Sequence, residues 1–299
     1  MSRLLARLAL AAASVLLVLG SAELGMRLFN VGQVMTYQSD PRYGYIMRAS
    51  QRISTYGEEI QINSLGLRGP ELMDPKPPDV LRLVFTGDSI TYGGGRIPER
   101  KLFCRLIEDY AAADGLRVEA VNLSAPGWSP RNWAAWLDAH GTLDADLILP
   151  VIPAIDLQRP FTTMDKVGII DHQPLLRLGT LWLKVKMRRI PGLPLTDESL
   201  QANIQALRAL RDRFSGTPFV AVFIESRPGD DVRPSYWGPY EELYPDAIDL
   251  RRSLSAAEFF DDVHFGVPGH AAIAEQIWAQ LRPRLRALLA ARAGAARPL

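Results

Sequence analysis

The 299-residue chain has a single cysteine, Cys104, which excludes an internal disulfide and any thiolate metal cluster. Cys104 falls in an apolar helical pattern and reads as a packed core or flank residue. Histidines are equally scarce. The four of them, His140, His172, His264 and His270, form no His-Glu-x-x-His or comparable ligand spacing, so no catalytic metal and no cofactor is expected. No charge of either sign is in excess. Lys and Arg number 34 against 33 Asp and Glu, for a formal charge of +1, which argues against nucleic acid or another polyanion as partner. What the chain does have is apolar content, 47%, enough to bury a full core in one large domain or one domain with an appendage.

The amino terminus reads as a targeting segment over residues 1–30. Arg3 and Arg7 precede an uncharged run from Leu8 to Leu19, shorter than the ~20 residues of a comfortable membrane span. Gly20-Ser21-Ala22 supplies the small residues a signal peptidase prefers, whereas Ala22 to Leu28 continues helical and amphipathic. An uncleaved anchor and a cleaved signal peptide therefore both fit. The anchor makes a single-pass inner-membrane protein and the cleaved peptide a secreted one. Either way, the basic residues mark the cytoplasmic end and the rest of the chain lies on the periplasmic, extracytoplasmic side.

Residues 31–79 read as an extended segment, with turns in Asp40 to Tyr45, a short β-hairpin over Ile53 to Ile62 and a proline-rich connector over Met73 to Pro78. From residue 80 to 299 the pattern alternates. Strand-length apolar runs occur at Leu81 to Phe85, Val118 to Val121, Leu147 to Ile152 and Phe219 to Ile224, with a weaker one at Ala247 to Leu250. Helical spacing occurs at Leu102 to Ala113, Trp133 to His140, Ser199 to Phe214 and His270 to Ala293, where Pro283 is placed to kink the last helix. Strands alternating with helices predict an α/β fold, a three-layer α/β/α sandwich on a mostly parallel five-stranded, flavodoxin-like sheet. Arg282, Arg284, Arg286 and Arg292 read as a solvated helix face.

The first strand-like run ends in Gly87-Asp88-Ser89, which places Ser89 at the carboxyl end of a buried strand, where open parallel sheets bind their ligands. The serine is not in Gly-x-Ser-x-Gly, because Thr91 takes the last position, and no Lys-Ser/Thr pair completes a phosphate loop. Far along the chain, Asp261 stands three residues before His264 in a loop that opens the last helix. Serine, histidine and acid are the three parts of a serine nucleophile system, since a hydroxyl needs a base to take its proton and a third group to orient that base.

These residues resemble the SGNH (GDSL-like) hydrolase family, including its membrane-anchored bacterial members. Gly87-Asp88-Ser89 matches the nucleophile block, Gly127 within Asn122 to Trp128 matches the oxyanion glycine block, and Asp261 with His264 matches the last block. The third block departs: where the family has Gly-x-Asn-Asp, this chain has Pro153-Ala154-Ile155-Asp156, and Ile155 cannot donate a hydrogen bond. Asn63 to Gly69 resembles the Asn-x-x-Gly-x-Arg segment preceding the nucleophile block in anchored members; read from its residues alone, its glycines only make turns. The resemblance implies a serine esterase or O-acetyltransferase with Ser89 as nucleophile, His264 as base and Asp261 as its orienting acid. The Ser89 and Gly127 N–H groups form the oxyanion hole, and an acylated carbohydrate or other ester is the substrate. A binding protein without turnover, which Ile155 makes plausible, and a membrane-proximal lipase are the alternatives.

Trp128, Trp133, Trp136, Tyr236, Trp237 and Tyr240 lie near the expected loops, where aromatic faces suit sugar rings and core packing explains them equally well. The stretch Leu175 to Arg189 mixes apolar and basic residues. It reads either as an amphipathic helix on anionic lipid or as one packed on its own domain. The sequence leaves the oligomeric state open.

Overall fold

The computed structural model describes residues 2–55, 57–180, 182–183, 192–225, 234–261 and 263–295. The chain begins with the helix α1 (Ser2–Leu28), which is exposed from Arg3 to Ala22 and is the one described helix long and apolar enough to cross a membrane. Two antiparallel hairpins follow, β1 (Tyr37–Asp40) with β2 (Gly44–Met47) and β3 (Arg52–Thr55) with β4 (Glu58–Gln61). Their apolar side chains, Tyr37, Tyr45, Met47, Ile53 and Ile60 among them, join the same core as Trp128 and Trp133. The proline-rich stretch is tied down as well, since Lys76 Nζ lies 2.9 Å from Asp146 and Met73 N–H donates to Glu119 at 2.7 Å.

The sheet is built from β5 (Leu81–Gly87), β6 (Val118–Ser124), β7 (Leu147–Pro153), β8 (Val222–Ile224) and β9 (Ile248–Asp249). They lie in the order β6-β5-β7-β8-β9, and every pairing is parallel. Parallel strands covered on both faces carry near-continuous apolar sequence, and β5 and β7 are buried at every position. Alternate residues point to opposite faces. Leu83, Phe85, Leu149, Val151 and Val222 pack against α3 (Phe103–Ala113) and the last helix, whereas Val84, Ile148, Ile152 and Phe223 pack beneath the helices on the other side. That second layer holds α4 (Pro130–His140), α5 (Asp197–Arg213) and α6 (Pro234–Leu243); the first is completed by α7 (Val267–Ala295). The α/β/α sandwich expected from the alternating pattern is therefore the observed fold.

Several boundaries move for local reasons. Helix α4 starts three residues before Trp133, because Pro130 suits the first helical position and Ser129 and Asn132 close a reciprocal capping box. Helix α7 starts at Val267 and continues through Pro283 to Ala295. Its arginines are paired, not merely solvated: Arg282 and Arg286 approach Asp114 at the end of α3 (3.7 and 3.8 Å), and Arg284 donates to the Asp246 carbonyl at 3.0 Å. Cys104 is fully buried, and burial pushes its thiol up to about 12.

Candidate active site

In a sheet of this order the chain reverses direction between β5 and β7, and the crevice for ligands opens beyond their carboxyl ends. Ser89 is placed there by a tight turn. Asp88, completely buried, follows β5 and caps a single helical turn, α2 (Ser89–Tyr92), its carboxylate Oδ1 accepting from the Ile90 N–H at 2.8 Å. The turn is closely packed, since a Cβ at Gly87 would stand 2.1 Å from Thr91 Oγ1.

The loop between β9 and α7 supplies the partners. Phe259 and Phe265 bridge across its neck, and Asp261 folds the tip by accepting the N–H groups of Val263 (2.9 Å) and His264 (2.7 Å). The same carboxylate lies 3.0 Å from His264 Nδ1 through either oxygen, and His264 Nε2 lies 3.0 Å from Ser89 Oγ, from the opposite end of the domain sequence. An ionised carboxylate only accepts, so Nδ1 carries the proton and Nε2 is left free to accept from the serine hydroxyl. Burial works against the charge on Asp261, but the two N–H groups and the His264 ring outweigh it and hold the acid below the usual carboxylate range. Phe260 stacks on the imidazole, 5.7 Å between centroids, and Arg96 lies over the other ring, 5.3 Å from the Phe260 centroid. The side chains of His264 and Asp261 keep 32% and 45% of their surface, so the cleft is open to solvent.

Gly127 follows the end of β6 with φ +80°, a left-handed conformation that favours glycine, and its carbonyl accepts from Thr162 Oγ1 at 2.9 Å. Thr162 is in turn held by buried Asn132, whose amide donates to the carbonyls of Tyr43 and Thr162. The neighbouring Pro126 carbonyl accepts from Tyr45 Oη at 2.6 Å, so β2 also braces this loop. Ile155 lies where the third block was expected, in a short 3-10 turn over Ala154–Asp156 directly after β7.

Two further features were not read from the sequence. Arg159 reaches back from the chain after β7, with Nε 2.5 Å from Asp156 Oδ1 and Nη2 3.6 Å from Asp88 Oδ2. The second distance suits an ion pair and is too long for a hydrogen bond, which leaves Asp88 Oδ2 buried without one. Burial and the Asp88 charge together push the Asp156 carboxyl well above its usual range. Arg68 is buried too, in a segment whose Gly66 and Gly69 take the positive φ of turns, and its guanidinium donates to the carbonyls of Tyr92 (2.7 Å), Gly94 (2.5 Å) and Ile97 (2.7 Å) and pairs with Glu99, fixing the glycine loop that follows the serine. Of the six aromatics weighed as sugar-stacking surface or core, five are core and Tyr236 is half-buried against it. Trp128, Trp133, Trp136, Trp237 and Tyr240 are all buried, whereas Phe260, stacked on His264, is 39% exposed.

The remaining histidines make other contacts. His270 is buried and accepts the Phe103 N–H through Nδ1 at 3.3 Å, and burial, helped by Arg68, lowers it to about 3. His140 stacks on Trp136, and His172 sits exposed beside Asp171. Among the described residues no cluster of His, Cys, Asp and Glu is arranged to hold a metal.

No family model and no curated protein matches the chain. Among solved structures it is similar to TesA, with 17% identity over 68% of this chain and 98% of that one and a TM-score of 0.45. It is also similar to an acetylxylan esterase from Geobacillus stearothermophilus (16% identity, 67% and 94% of the two chains, TM-score 0.43). A two-domain esterase active on acetylated mannans matches over 68% of this chain and 49% of its own, with 13% identity and a TM-score of 0.47.

Proposed function

We propose that this chain is a serine ester hydrolase of the SGNH (GDSL-like) type, held in the inner membrane by α1 with its catalytic domain on the extracytoplasmic side, and that it removes or transfers acyl groups, acetyl first among them, on carbohydrate. One observation carries the enzymatic reading. Ser89, His264 and Asp261 form a continuous relay with 3.0 Å at each link, at the end of the sheet where ligands bind.

In the first half-reaction His264 Nε2 takes the Ser89 proton as Oγ attacks the ester carbonyl, and Asp261 steadies the imidazolium that forms. The same imidazolium returns its proton to the departing alkoxide, leaving an acyl-serine. Water, or a sugar hydroxyl, then attacks the acyl carbon with His264 again as base; the bond to Ser89 Oγ breaks, Oγ takes back the proton from His264, and the free acid or acylated sugar leaves. The Ser89 amide lies in the first turn of α2, where N–H groups have no partner within the helix, and with the Gly127 amide it receives the oxyanion. Ile155 withdraws a side-chain donor, a loss of roughly 10²–10³ in turnover where such a donor operates. The open cleft supports an acyl group carried on a large acceptor. Carbohydrate as that acceptor rests on the family resemblance, since Trp128, Trp133, Trp136 and Trp237 are spent in the core.

The test is hydrolysis of 4-nitrophenyl acetate by the full chain in detergent micelles, beside Ser89→Ala and His264→Ala, with fluorophosphonate labelling of Ser89 in parallel. Activity and labelling in the wild type, both lost in the two variants, are expected. A folded wild type whose Ser89 stays unlabelled overturns the reading in favour of a binding protein. A strong preference for long acyl chains redirects it to a lipase.

A further inference from the structure

The charged residues at the carboxyl end of α1 are built into the body of the protein. Glu23, only 13% exposed, accepts the backbone N–H groups of Arg177 (2.9 Å) and Leu178 (3.1 Å) and pairs with Arg27 at 2.7 Å. Arg27 donates onward to the Leu175 carbonyl at 2.7 Å. The turn after α1 packs on the same segment: a Cβ at Gly32, where φ is +78°, would meet Thr180 Oγ1 at 3.1 Å and the Arg177 carbonyl at 3.3 Å. The contact then continues along the chain. Gln173 pairs with both backbone groups of Val34, Tyr37 N–H donates to the Ile170 carbonyl, and Arg48 donates to the Asp171 carbonyl at 2.8 Å. Helix α1 is unbroken through Gly20-Ser21-Ala22 into Glu23, so the small-residue site lies inside the helix that carries these contacts.

These bonds fix a depth. From Leu4 to Ala22 the helix is apolar but for Arg7, Ser14 and Ser21, and at 1.5 Å per residue this stretch is about 28 Å long, close to the ~30 Å of a bilayer core. Charged side chains at a helix end reach the headgroup layer, and a carboxylate is not left in hydrocarbon. With α1 across the membrane, Glu23 therefore marks the outer headgroup level, and the residues bonded to it lie at the same level. Those residues are flanked by apolar side chains that nothing in the fold covers: Leu175 is 89% exposed and Leu176 54%, with Leu28 and Phe29 exposed on the α1 side of the same contact. The chain turns helical at Gly179, and Trp182, 65% exposed, follows. Leucine and tryptophan at this level match the composition of membrane interfaces. Of the amphipathic stretch expected from the sequence, residues 181 and 184–189 lie outside the described residues.

We propose that the last turns of α1 and the segment from Leu175 to Thr180 form a brace, retained with the anchor, that seats Leu175, Leu176 and Trp182 in the headgroup layer of the membrane α1 crosses and so holds the catalytic domain at a fixed height and tilt. The proposal rests on α1 being a retained membrane span. Its partner is a lipid surface, recognised by apolar insertion beside a rigid stalk and not by a headgroup pocket.

The test places a bimane probe at Leu176→Cys in the full chain, reconstituted in phosphatidylethanolamine and phosphatidylglycerol vesicles with or without acyl chains brominated near the headgroup. Cys104 is buried and stays unlabelled. Loss of most of the probe emission in brominated vesicles is expected, with recovery in a Glu23→Ala, Arg27→Ala background that still resists carbonate extraction. An anchored protein whose Leu176 probe keeps its emission overturns the brace alone. Release by carbonate, or a mature chain beginning after Ala22, overturns the anchor reading and the brace with it.

Discussion

Arg159 Nη2 stands 3.6 Å from Asp88 Oδ2, so this cation is shared between the acid that caps the nucleophile's turn and Asp156 just beyond the end of β7. Replacing Arg159 by Met leaves two buried carboxylates facing each other with no counter-charge. Breaking a buried pair in this way costs about 3–5 kcal/mol. Urea denaturation of Arg159→Met is expected to show a loss of that order, and Asp156→Asn in the same background to restore part of it by removing one of the two acids. An unchanged midpoint in Arg159→Met means that the cluster carries no net stability.

Asp261→Asn separates orientation from basicity. The amide can still meet Nδ1, but it supplies no charge to the imidazolium and presents an N–H as readily as an oxygen. A fall in kcat of roughly 10²–10⁴ is expected, with Ser89 still in place. Because the wild-type Asp261 carboxyl sits below the usual carboxylate range, it stays ionised through the pH range in which imidazoles titrate. The acid limb of kcat/KM in the wild type is therefore expected to follow one proton; a two-proton limb above pH ~5 contradicts this.

The parts of the site that were legible in the sequence are those written in local chemistry. An apolar run ending in Gly87-Asp88-Ser89 announces a strand and its turn, and Asp261 reaches His264 because three residues of tight loop bring them together. The alternation of strands and helices carried the fold for the same reason: each element states its own period. Arg68 and Arg159 were not legible, because their partners are set by tertiary contact, Tyr92 and Asp88 being remote in sequence. Aromatic residues carry no mark of which way they face, so Trp128 and Trp136 read equally as core and as sugar platform until packing decides. Helix α6 was hidden by its composition, with Pro234 at its start and Pro239 inside.

Gly87→Ala tests how tightly the nucleophile is placed. The added methyl would meet Thr91 Oγ1 at 2.1 Å and Thr91 Cβ at 2.9 Å, and neither is the movable end of a long side chain. Overpacking of this kind costs typically 1–3 kcal/mol. Here the strain falls on the residues flanking Ser89, so turnover is expected to fall by more than the loss of stability explains. Thr91→Ala in the same background removes the nearer atom and is expected to restore part of both. Wild-type kinetics in Gly87→Ala mean that the turn yields without displacing the serine.

His270 links stability to pH with a definite sign. Its folded-state value is lowered to about 3, below the ordinary value of 6.5, because burial, aided by Arg68, disfavours the imidazolium. Unfolded chains therefore take up a proton that the folded protein refuses between pH 6.5 and pH 3. The stabilisation from the neutral ring is complete above the upper value and is lost as pH falls through this window, with a slope of at most about 1.4 kcal/mol per pH unit. His270→Gln keeps an acceptor for the Phe103 N–H but cannot titrate. Urea midpoints measured across the window are expected to fall less steeply for the variant than for the wild type, the difference approaching one proton. Parallel curves would mean that His270 is protonated in the folded protein and that its Nδ1 does not accept from Phe103.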